Sequence, residues 1–506
     1  MTFKPEKKSL NILKELPVVT AQQSIPVEIS LPDYCSDIKR ILKCVVEPGI
    51  TSVSVNGENV SVSGSVNIKL IYVGEKDKID CCEVQKDLSV TARIKDLPGE
   101  AAICPRAKTN YVNCRATSQR RISAEVNIGV SFDTYSRDVR EVLIDCGDST
   151  FELKKQETDY ENLICIRDKV FDMGETLQVP QDKGCIGKIL HTYAYAVVDS
   201  QKAVSDKLLI KGQLYTQVLY RTDSDEGRIS KLYHTMPISQ IIDLPGIDET
   251  SLCNVRLGVR YLSVQRKTDS SDNCLAEIGA KVAATVRCST KEKVQVIEDC
   301  YSTTHEIKTD YSSEDFFSHV HTANQQKTLK QTLDFSASDI ADVTDIWCSD
   351  VTSSMTGKGD SAKGESSITL CLIWLDSKGV PQYGEKNVVL PFDIKLKENY
   401  ESLRCDYSCQ VRNIDFTVMS KDKIEVKVEC GVRADIYCQS SRRLLKNIEI
   451  LSEKDDSDMS ALTIYFPFKG EKLWDIARRY STTAKAIKEE NGIEGDFITK
   501  EEMILV

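Results

Sequence analysis

The sequence has 506 residues, of which 41% are hydrophobic and 28% are charged, so it can bury several cores and is not disordered as a whole. At about 150 residues per domain, this length predicts three domains and a remainder. The 77 acidic and 66 basic residues give a net charge of −11. That balance excludes a general nucleic-acid or anionic-membrane binder, because both need a basic surface.

The N-terminal residues predict a cytoplasmic protein. Met1 to Leu10 carry lysines, but the apolar stretch of a secretory signal does not follow them. Elsewhere no apolar run approaches the roughly 18–20 residues of a membrane span. We therefore expect a cytoplasmic location without membrane insertion.

The nineteen cysteines show no C-x-x-C spacing. Structural zinc sites usually bring cysteines in such pairs, with histidine as the other ligand, and the chain has only five histidines. An odd number of cysteines also cannot pair completely within one chain. We expect free thiols, either buried or at the surface, and no metal site.

One long pattern repeats along the chain. Ile29-Ser30-Leu31-Pro32 returns 148 residues later as Leu177-Gln178-Val179-Pro180, and Gly64, which opens an apolar run, returns as Gly212 at the same offset. A weaker third copy places Gly364 300 residues after Gly64. This period is too long for a solenoid repeat of about 20–50 residues, so it indicates three copies of a whole domain.

Within each copy, apolar and polar residues alternate, as they do over 122–132 and 424–436. Strict alternation predicts strands with one buried and one solvated face, the pattern of antiparallel sheets. The predicted fold is mainly β, with three tandem antiparallel β-sandwich-like domains plus a small C-terminal βααβ domain. Polar segments set the predicted boundaries: 1–28 as an N-terminal segment, 29–160, 161–315 and 316–452 as the three repeats, 453–460 as a linker, and 461–506 as the C-terminal module.

The pattern changes after Ser460. A short apolar strand ends before Gly470, and the apolar residues from Leu473 to Tyr480 then follow the i, i+3, i+4, i+7 spacing of one helix face. A second helix should end at Asn491-Gly492, where glycine favours a C-cap, and 503–506 should form a closing strand.

This order of strand, helix, helix and strand resembles the LysM domain. The residues that carry the resemblance are Tyr465, Gly470, Leu473, Trp474, Ile476, Ala477, Tyr480, Ile487, Asn491, Gly492, Ile493, Ile498, Ile504, Leu505 and Val506. In LysM domains, glycans containing N-acetylglucosamine sit in a groove between the first strand–helix loop and the second helix–strand loop. The resemblance implies a partner- or glycan-binding groove here, formed by Gly470, Glu471, Lys472, Leu473, Trp474, Asn491, Gly492, Ile493 and Ile498.

Both groove loops depart from the usual LysM pattern. The family's Gly-Asp-Thr/Ser-Leu reads Gly470-Glu471-Lys472-Leu473, and Lys500-Glu501 replaces the usual Pro-Gly. A sugar groove must fit its ligand closely, whereas the rim of a protein interface accommodates long charged side chains. We therefore expect the module to bind a protein, and to bind peptidoglycan weakly or not at all.

The β repeats resemble the SPOCS domain of spore-forming bacteria, and tandem copies followed by a LysM domain resemble the SipL family of spore-coat assembly proteins. The resemblance implies an adaptor in the mother-cell cytoplasm that attaches coat layers at the forespore surface. Its implied partner is a coat morphogenetic ATPase of the SpoIVA type, contacted partly through the LysM module. The alternative is a peptidoglycan-binding protein of the cell wall or spore cortex.

The sequence offers little support for an enzymatic function. Gly359-x4-Gly364 imitates the start of a phosphate-binding P-loop, but Glu365 stands where the lysine is needed and would repel phosphate. The G-x-S-x-G motif of a hydrolase nucleophile is absent from the sequence. We therefore predict a protein without enzymatic activity that needs no cofactor.

Overall fold

Antiparallel strands form nearly all of the chain up to residue 453 in the computed structural model, which describes residues 5–224, 227–335, 339–454 and 463–506. The first unit contains β1 Glu6–Ser30, β2 Arg40–Asn56, β3 Asn59–Val73, β4 Ile79–Arg93, β5 Ala102–Ser118 and β6 Arg121–Asp145. The second contains β7 Phe151–Gln178, β8 Ile186–Val204, β9 Lys207–Thr222, β10 Ile229–Asp243, β11 Leu252–Thr268 and β12 Cys274–Ser302. The third contains β13 His305–Asp334, β14 Asp342–Leu375, β15 Pro381–Ser420 and β16 Lys423–Glu453. Short 3-10 turns lie at Glu75–Asp77 and Gln181–Lys183.

The first two units each fold into two three-stranded sheets. Their strand orders are β1-β6-β5 with β2-β3-β4, and β7-β12-β11 with β8-β9-β10. Successive side chains of a strand point to opposite faces, so the alternating pattern buries Val60, Val62 and Val66 together. The buried faces of both sheets enclose one core in each unit. This arrangement confirms the predicted mainly β, sandwich-like fold.

The third unit has fewer and longer strands than the first two units. Residues 381–395 of β15 pair with β14, and residues 403–420 of the same strand pair with β16. The result is one four-stranded sheet of order β13-β16-β15-β14, which folds around its own core. Alternation alone did not predict this continuity, because a long strand and two collinear short ones have the same period.

The three repeated glycines lie in corresponding strands, β3, β9 and β14. A side chain on Gly64 would put its Cβ 1.9 Å from the carbonyl oxygen of Gly49, and one on Gly212 would lie 2.3 Å from that of Val197. At Gly364 the nearest backbone oxygen, that of Ser354, is 3.1 Å away. Each glycine thus allows the close approach of the preceding backbone segment.

The strands cross the predicted domain boundaries. Residues 6–28, which the sequence placed in an N-terminal segment, form most of β1 and pair along β6. The boundaries at 160 and 315 fall inside β7 and β13, where the polar residues are mostly the exposed side of a strand. We propose instead that the repeats run over 6–145, 151–302 and 305–453. Residues 455–460 of the predicted linker lie outside the described residues.

The three units share three further apolar cores: a small one that joins Leu143, Ile297 and Leu445, and two larger ones. One brings together Ile71, Leu219 and Ile373, one from each unit. The other brings together Leu10 of β1, Tyr160 of β7 and Phe316 of β13, and the rings of Tyr160 and Phe316 meet edge to face with centroids 6.4 Å apart. These contacts pack the units against one another.

One pair of cysteines departs from the predicted free thiols. Cys185 and Cys274 form a disulfide that links the chain just before β8 to the start of β12. The other seventeen cysteines are free. The expectation of free thiols is therefore wrong for this pair. The two cysteines lie 89 positions apart, and a disulfide over that separation cannot be recognised from a short spacing motif in the sequence.

The C-terminal module has the predicted order: β17 Ile464–Tyr465, α1 Leu473–Arg479, α2 Ala484–Asn491 and β18 Ile504–Leu505. The Thr483 hydroxyl caps α2 by accepting a hydrogen bond from the Ala486 amide at 3.0 Å. Gly492 ends α2 in the left-handed conformation, with φ 61°. Leu473, Ile476 and Ile487 form the centre of its small core. Residues 461 and 462 lie outside the described residues.

Candidate functional site

The two loops of the predicted LysM groove lie side by side. The Gly470 amide donates to the Ile498 carbonyl at 2.8 Å, and the Ile498 amide donates to the Glu471 carbonyl at 2.9 Å. The Leu473 amide continues the pairing with the Asp496 carbonyl at 3.0 Å. Gly470 has φ +89°, which the turn needs and which side chains disfavour. The structure therefore brings the predicted groove loops together.

Glu471 faces its own loop. Its carboxylate accepts hydrogen bonds from the Tyr465 hydroxyl at 2.9 Å and from the Phe468 amide at 3.2 Å. Arg479 of α1 lies 3.7 Å from the same carboxylate. These contacts hold the loop shape and use the carboxylate oxygens that a ligand would otherwise meet.

Lys472 projects from the groove edge. It is exposed and lies opposite Phe497 in a β-bridge that connects the two loops. Its side chain makes no hydrogen bond or ion pair with the part of the chain that the structure describes. The ammonium group is therefore available to a partner.

The remaining groove residues, apart from Trp474, support the module itself. Leu473 and Ile498 are buried in its core, and Ile493 packs against that core. The Asn491 side chain donates to the Leu505 carbonyl and accepts from the Leu505 amide, both at 2.7 Å. Asn491 thus links the end of α2 to β18, and Gly492 ends the helix at the next position.

Trp474 points to the body of the protein rather than to a ligand. Its indole Nε1 donates to the Asp299 carboxylate of β12 at 3.0 Å, and its ring meets that of Tyr301 edge to face at 4.9 Å. Arg478, one turn later on α1, reaches the same carboxylate at 3.0 Å. Trp474 therefore docks the LysM module on the second unit.

Further polar contacts complete this docking surface, which we define as Asp299, Tyr301, Ser302, Tyr311 and Lys454. The Tyr301 hydroxyl donates to the Thr482 carbonyl at 2.9 Å. Lys454 donates to the Ser481 hydroxyl at 2.7 Å and to the Ser302 carbonyl at 2.8 Å. The Tyr311 hydroxyl of the third unit donates to Asp299 at 2.7 Å. Burial raises the pKa of the Tyr301 hydroxyl, so it stays a neutral donor.

Three exposed phenylalanines lie on the two groove loops or just before them. Phe466, Phe468 and Phe497 are 69%, 74% and 52% exposed, and the proline between the first two is buried. Exposed large apolar side chains that occur together often mark a contact surface. We call these three residues the aromatic patch. Sequence analysis did not select them, although the Phe-Pro-Phe run next to a groove loop was a usable signal.

The apparent P-loop is part of a strand. Gly359 and Gly364 both lie within β14, which pairs with β15 on both sides of this segment. A phosphate-binding P-loop instead wraps its glycines around the phosphates before a helix. The segment therefore lacks the geometry of a nucleotide site.

No helix among the described residues is long and apolar enough to cross a membrane.

Comparison with protein-family models identifies two kinds of domain in this chain. The family described as "SipL, SPOCS domain" matches residues 37–116 and 185–267, and the LysM domain family matches 469–499. The two SPOCS segments extend from just before β2 to the end of β5, and from just before β8 to the end of β11. No curated protein and no solved structure matches the chain.

These matches confirm the predicted combination of SPOCS repeats with a C-terminal LysM domain. Both families are binding domains rather than catalytic ones, and together they fit a sporulation-related adaptor with a module of the peptidoglycan-binding class.

Proposed function

We propose that this chain, which combines SPOCS and LysM domains, is a non-enzymatic adaptor in spore-coat assembly. It works in the mother-cell cytoplasm and attaches coat layers at the forespore surface. Its partner is a coat morphogenetic ATPase of the SpoIVA type, and the LysM module supplies part of the contact.

The observation that carries this proposal is the aromatic patch beside Lys472. Exposed aromatic rings next to a cation are the composition of a protein interface, where aromatic residues supply the buried centre and charged residues the rim. Glu471 is already engaged within its loop. The surface thus offers broad apolar contact and one available charge.

The docked position of the LysM module supports an adaptor role. Trp474 and Arg478 fix α1 to Asp299, so the aromatic patch is held in one orientation relative to the three units. A preoriented surface loses less conformational entropy on binding than a tethered one. The SPOCS units then supply a broad second surface for the same partner or for another coat protein.

Peptidoglycan binding is the second candidate, and the LysM match favours it. The aromatic rings offer apolar faces that also suit sugar rings. Against it stand the engaged carboxylate of Glu471 and the lysine at the groove edge, since a glycan groove needs closely placed short polar groups. The two candidates differ in how they respond to the charge of Lys472.

The experiment compares two bindings of the full chain: capture by the purified morphogenetic ATPase and sedimentation with purified sacculi. Lys472→Glu reverses an exposed charge without removing core volume. We expect it to weaken ATPase capture several-fold, with a changed salt dependence, because rim charges act in this way. Lys485→Glu is the matched control, since this α2 lysine is 83% exposed and pairs, among the described residues, with Glu489 across one helical turn.

Phe468→Ser tests the aromatic patch. Met503→Ser is its control, because this methionine is also a large, exposed apolar residue of the module. We expect the phenylalanine change to reduce ATPase capture at least tenfold and the methionine change to leave it nearly intact. Tight sedimentation with sacculi, combined with no capture of the ATPase by the unaltered chain, would refute the adaptor and support the second candidate.

A further inference from the structure

A cavity of about 520 Å³ lies where the three units meet. Its walls come from β2 and β5 of the first unit, β8 and β11 of the second, and the second half of β15 with β16 of the third. Strands β2, β5, β8 and β11 are all edge strands, so each has a backbone side without a neighbouring strand. The volume is typical of a site for a small organic ligand.

The lining of the cavity is strongly basic. Its titratable groups include one carboxylate, that of Asp133, and the guanidinium groups of Arg106, Arg256, Arg260, Arg412 and Arg433. Such an accumulation is unusual on a chain with a net charge of −11. It therefore needs a local explanation.

Four of the five arginines have carboxylate partners. Arg260 lies 2.7 Å from Asp168, and both side chains are buried. Arg256 and Arg433 lie 3.2 Å and 3.1 Å from the buried Asp435, and Arg106 pairs with Asp133. The charge of Arg433 and its hydrogen bonds hold the pKa of Asp435 well below its usual range despite burial, so the carboxylate stays charged.

Arg412 is the exception. It is the extra residue of a β-bulge in β15, between Val411 and Asn413, and bulges redirect a side chain. Its Nε is buried without a hydrogen-bond partner, and it makes no ion pair within the described ranges. Gly431 leaves room for it, since a Cβ there would lie 2.5 Å from the Arg412 Nε. The side chain as a whole is half-buried, and a buried N–H donor without a partner is costly unless a ligand or water accepts its hydrogen bond.

We propose that this cavity binds a small anion whose phosphate or carboxylate group pairs with Arg412. The planar guanidinium matches both oxyanions in a two-point contact. The other four arginines are held in place by their own carboxylates, so they contribute hydrogen-bond donors around the anion without needing to move. Arg106, which is 73% exposed, lies at the cavity's open side. This inference does not depend on the proposed adaptor function.

The test measures thermal unfolding and calorimetric binding of the full chain with inorganic pyrophosphate and, separately, with citrate, at ionic strength held constant with sodium chloride. We expect at least one of the two anions to bind saturably and to raise the melting temperature. Binding of pyrophosphate alone would assign a phosphate ligand, and binding of citrate alone a carboxylate ligand.

Arg412→Gln should weaken that binding at least tenfold. Without added anion, it should unfold at the same temperature as the unaltered chain or a higher one, because it removes a buried Nε donor that lacks a hydrogen-bond partner. Arg93→Gln is the control, since that arginine is 75% exposed and does not line the cavity. Absence of saturable binding by both anions, or equal binding by Arg412→Gln, would overturn the proposal.

Discussion

Glu47 forms a buried ion pair within the first unit and accepts hydrogen bonds from the second, and its neutralisation should destabilise the protein. The carboxylate lies 2.7 Å from the Lys69 ammonium, and these side chains are 17% and 3% exposed. It also accepts hydrogen bonds from the Thr192 amide at 2.8 Å and the Thr192 hydroxyl at 2.9 Å, across the boundary between the units. Glu47→Gln keeps the size of the side chain and removes its charge, which leaves the buried Lys69 ammonium without its ion-pair partner.

The magnitude follows from the pKa of Glu47. Burial raises this pKa, but the charge of Lys69 and the neighbouring His191 lower it more strongly, from an ordinary 4.5 to about 2. That difference corresponds to about 3 kcal/mol of stability at pH 7. Because the folded-state pKa is depressed, this contribution is present above pH 4.5 and is lost as the pH falls towards 2. It should amount to about 2 kcal/mol near a pH of about 3.5.

Urea unfolding of the unaltered chain and of Glu47→Gln, followed by far-UV circular dichroism between pH 7 and pH 3.5, measures this difference. Glu58→Gln is the control, because its partner Arg93 is largely exposed and we expect no comparable loss. Adding Lys69→Met to Glu47→Gln should recover part of the stability, since the buried Lys69 ammonium that had lost its partner is then removed as well. A loss below about 1 kcal/mol at pH 7, or one that does not shrink in acid, would contradict this account of the ion pair.

Two further changes test the docking of the LysM module and the role of the repeated glycines. Asp299→Ala removes the acceptor of Trp474 and should weaken docking by about 2 kcal/mol, seen as faster amide hydrogen exchange in α1, whereas Glu298→Ala should leave that exchange unchanged. Unaltered exchange in Asp299→Ala would show that apolar contacts alone hold the module. Gly212→Ala should lower the free energy of unfolding by about 1–3 kcal/mol, because its Cβ would lie 2.3 Å from a backbone oxygen. Gly258→Ala, with open space around it, should be nearly neutral in the same urea titration, and equal effects would contradict the close-approach argument.

Alternation predicts which face of a strand is buried but not what buries it. The pattern at 122–132 and 424–436 correctly indicated strands, since a period of two has one structural meaning over that length. The same pattern could not indicate that Leu10, Tyr160 and Phe316 meet in a core shared by three units. Those contacts depend on how whole units pack, which no local period encodes. The predicted boundaries at 160 and 315 fall inside strands for a related reason, because exposed strand residues and linker residues are equally polar.

The candidate site shows the same limit. Sequence reasoning correctly identified the helices of the LysM module and the glycine that ends α2, because capping is a local property. It did not predict that Trp474 would be used in docking, since its acceptor Asp299 lies 175 residues earlier. Nor did it predict the aromatic patch, because exposure in a loop depends on the tertiary fold.

The docking surface makes the position of the LysM module depend on the folding of the second and third units. The LysM module follows the third unit in the chain, yet it rests on Asp299 and Tyr301 of the second unit, with Tyr311 and Lys454 contributed from the third unit and its end. That surface exists only after both units have folded and packed together. The segments that form this surface all precede the module in the chain, so they are synthesised before it. A partner that recognises the module in its docked position would therefore bind only molecules in which the second and third units have folded.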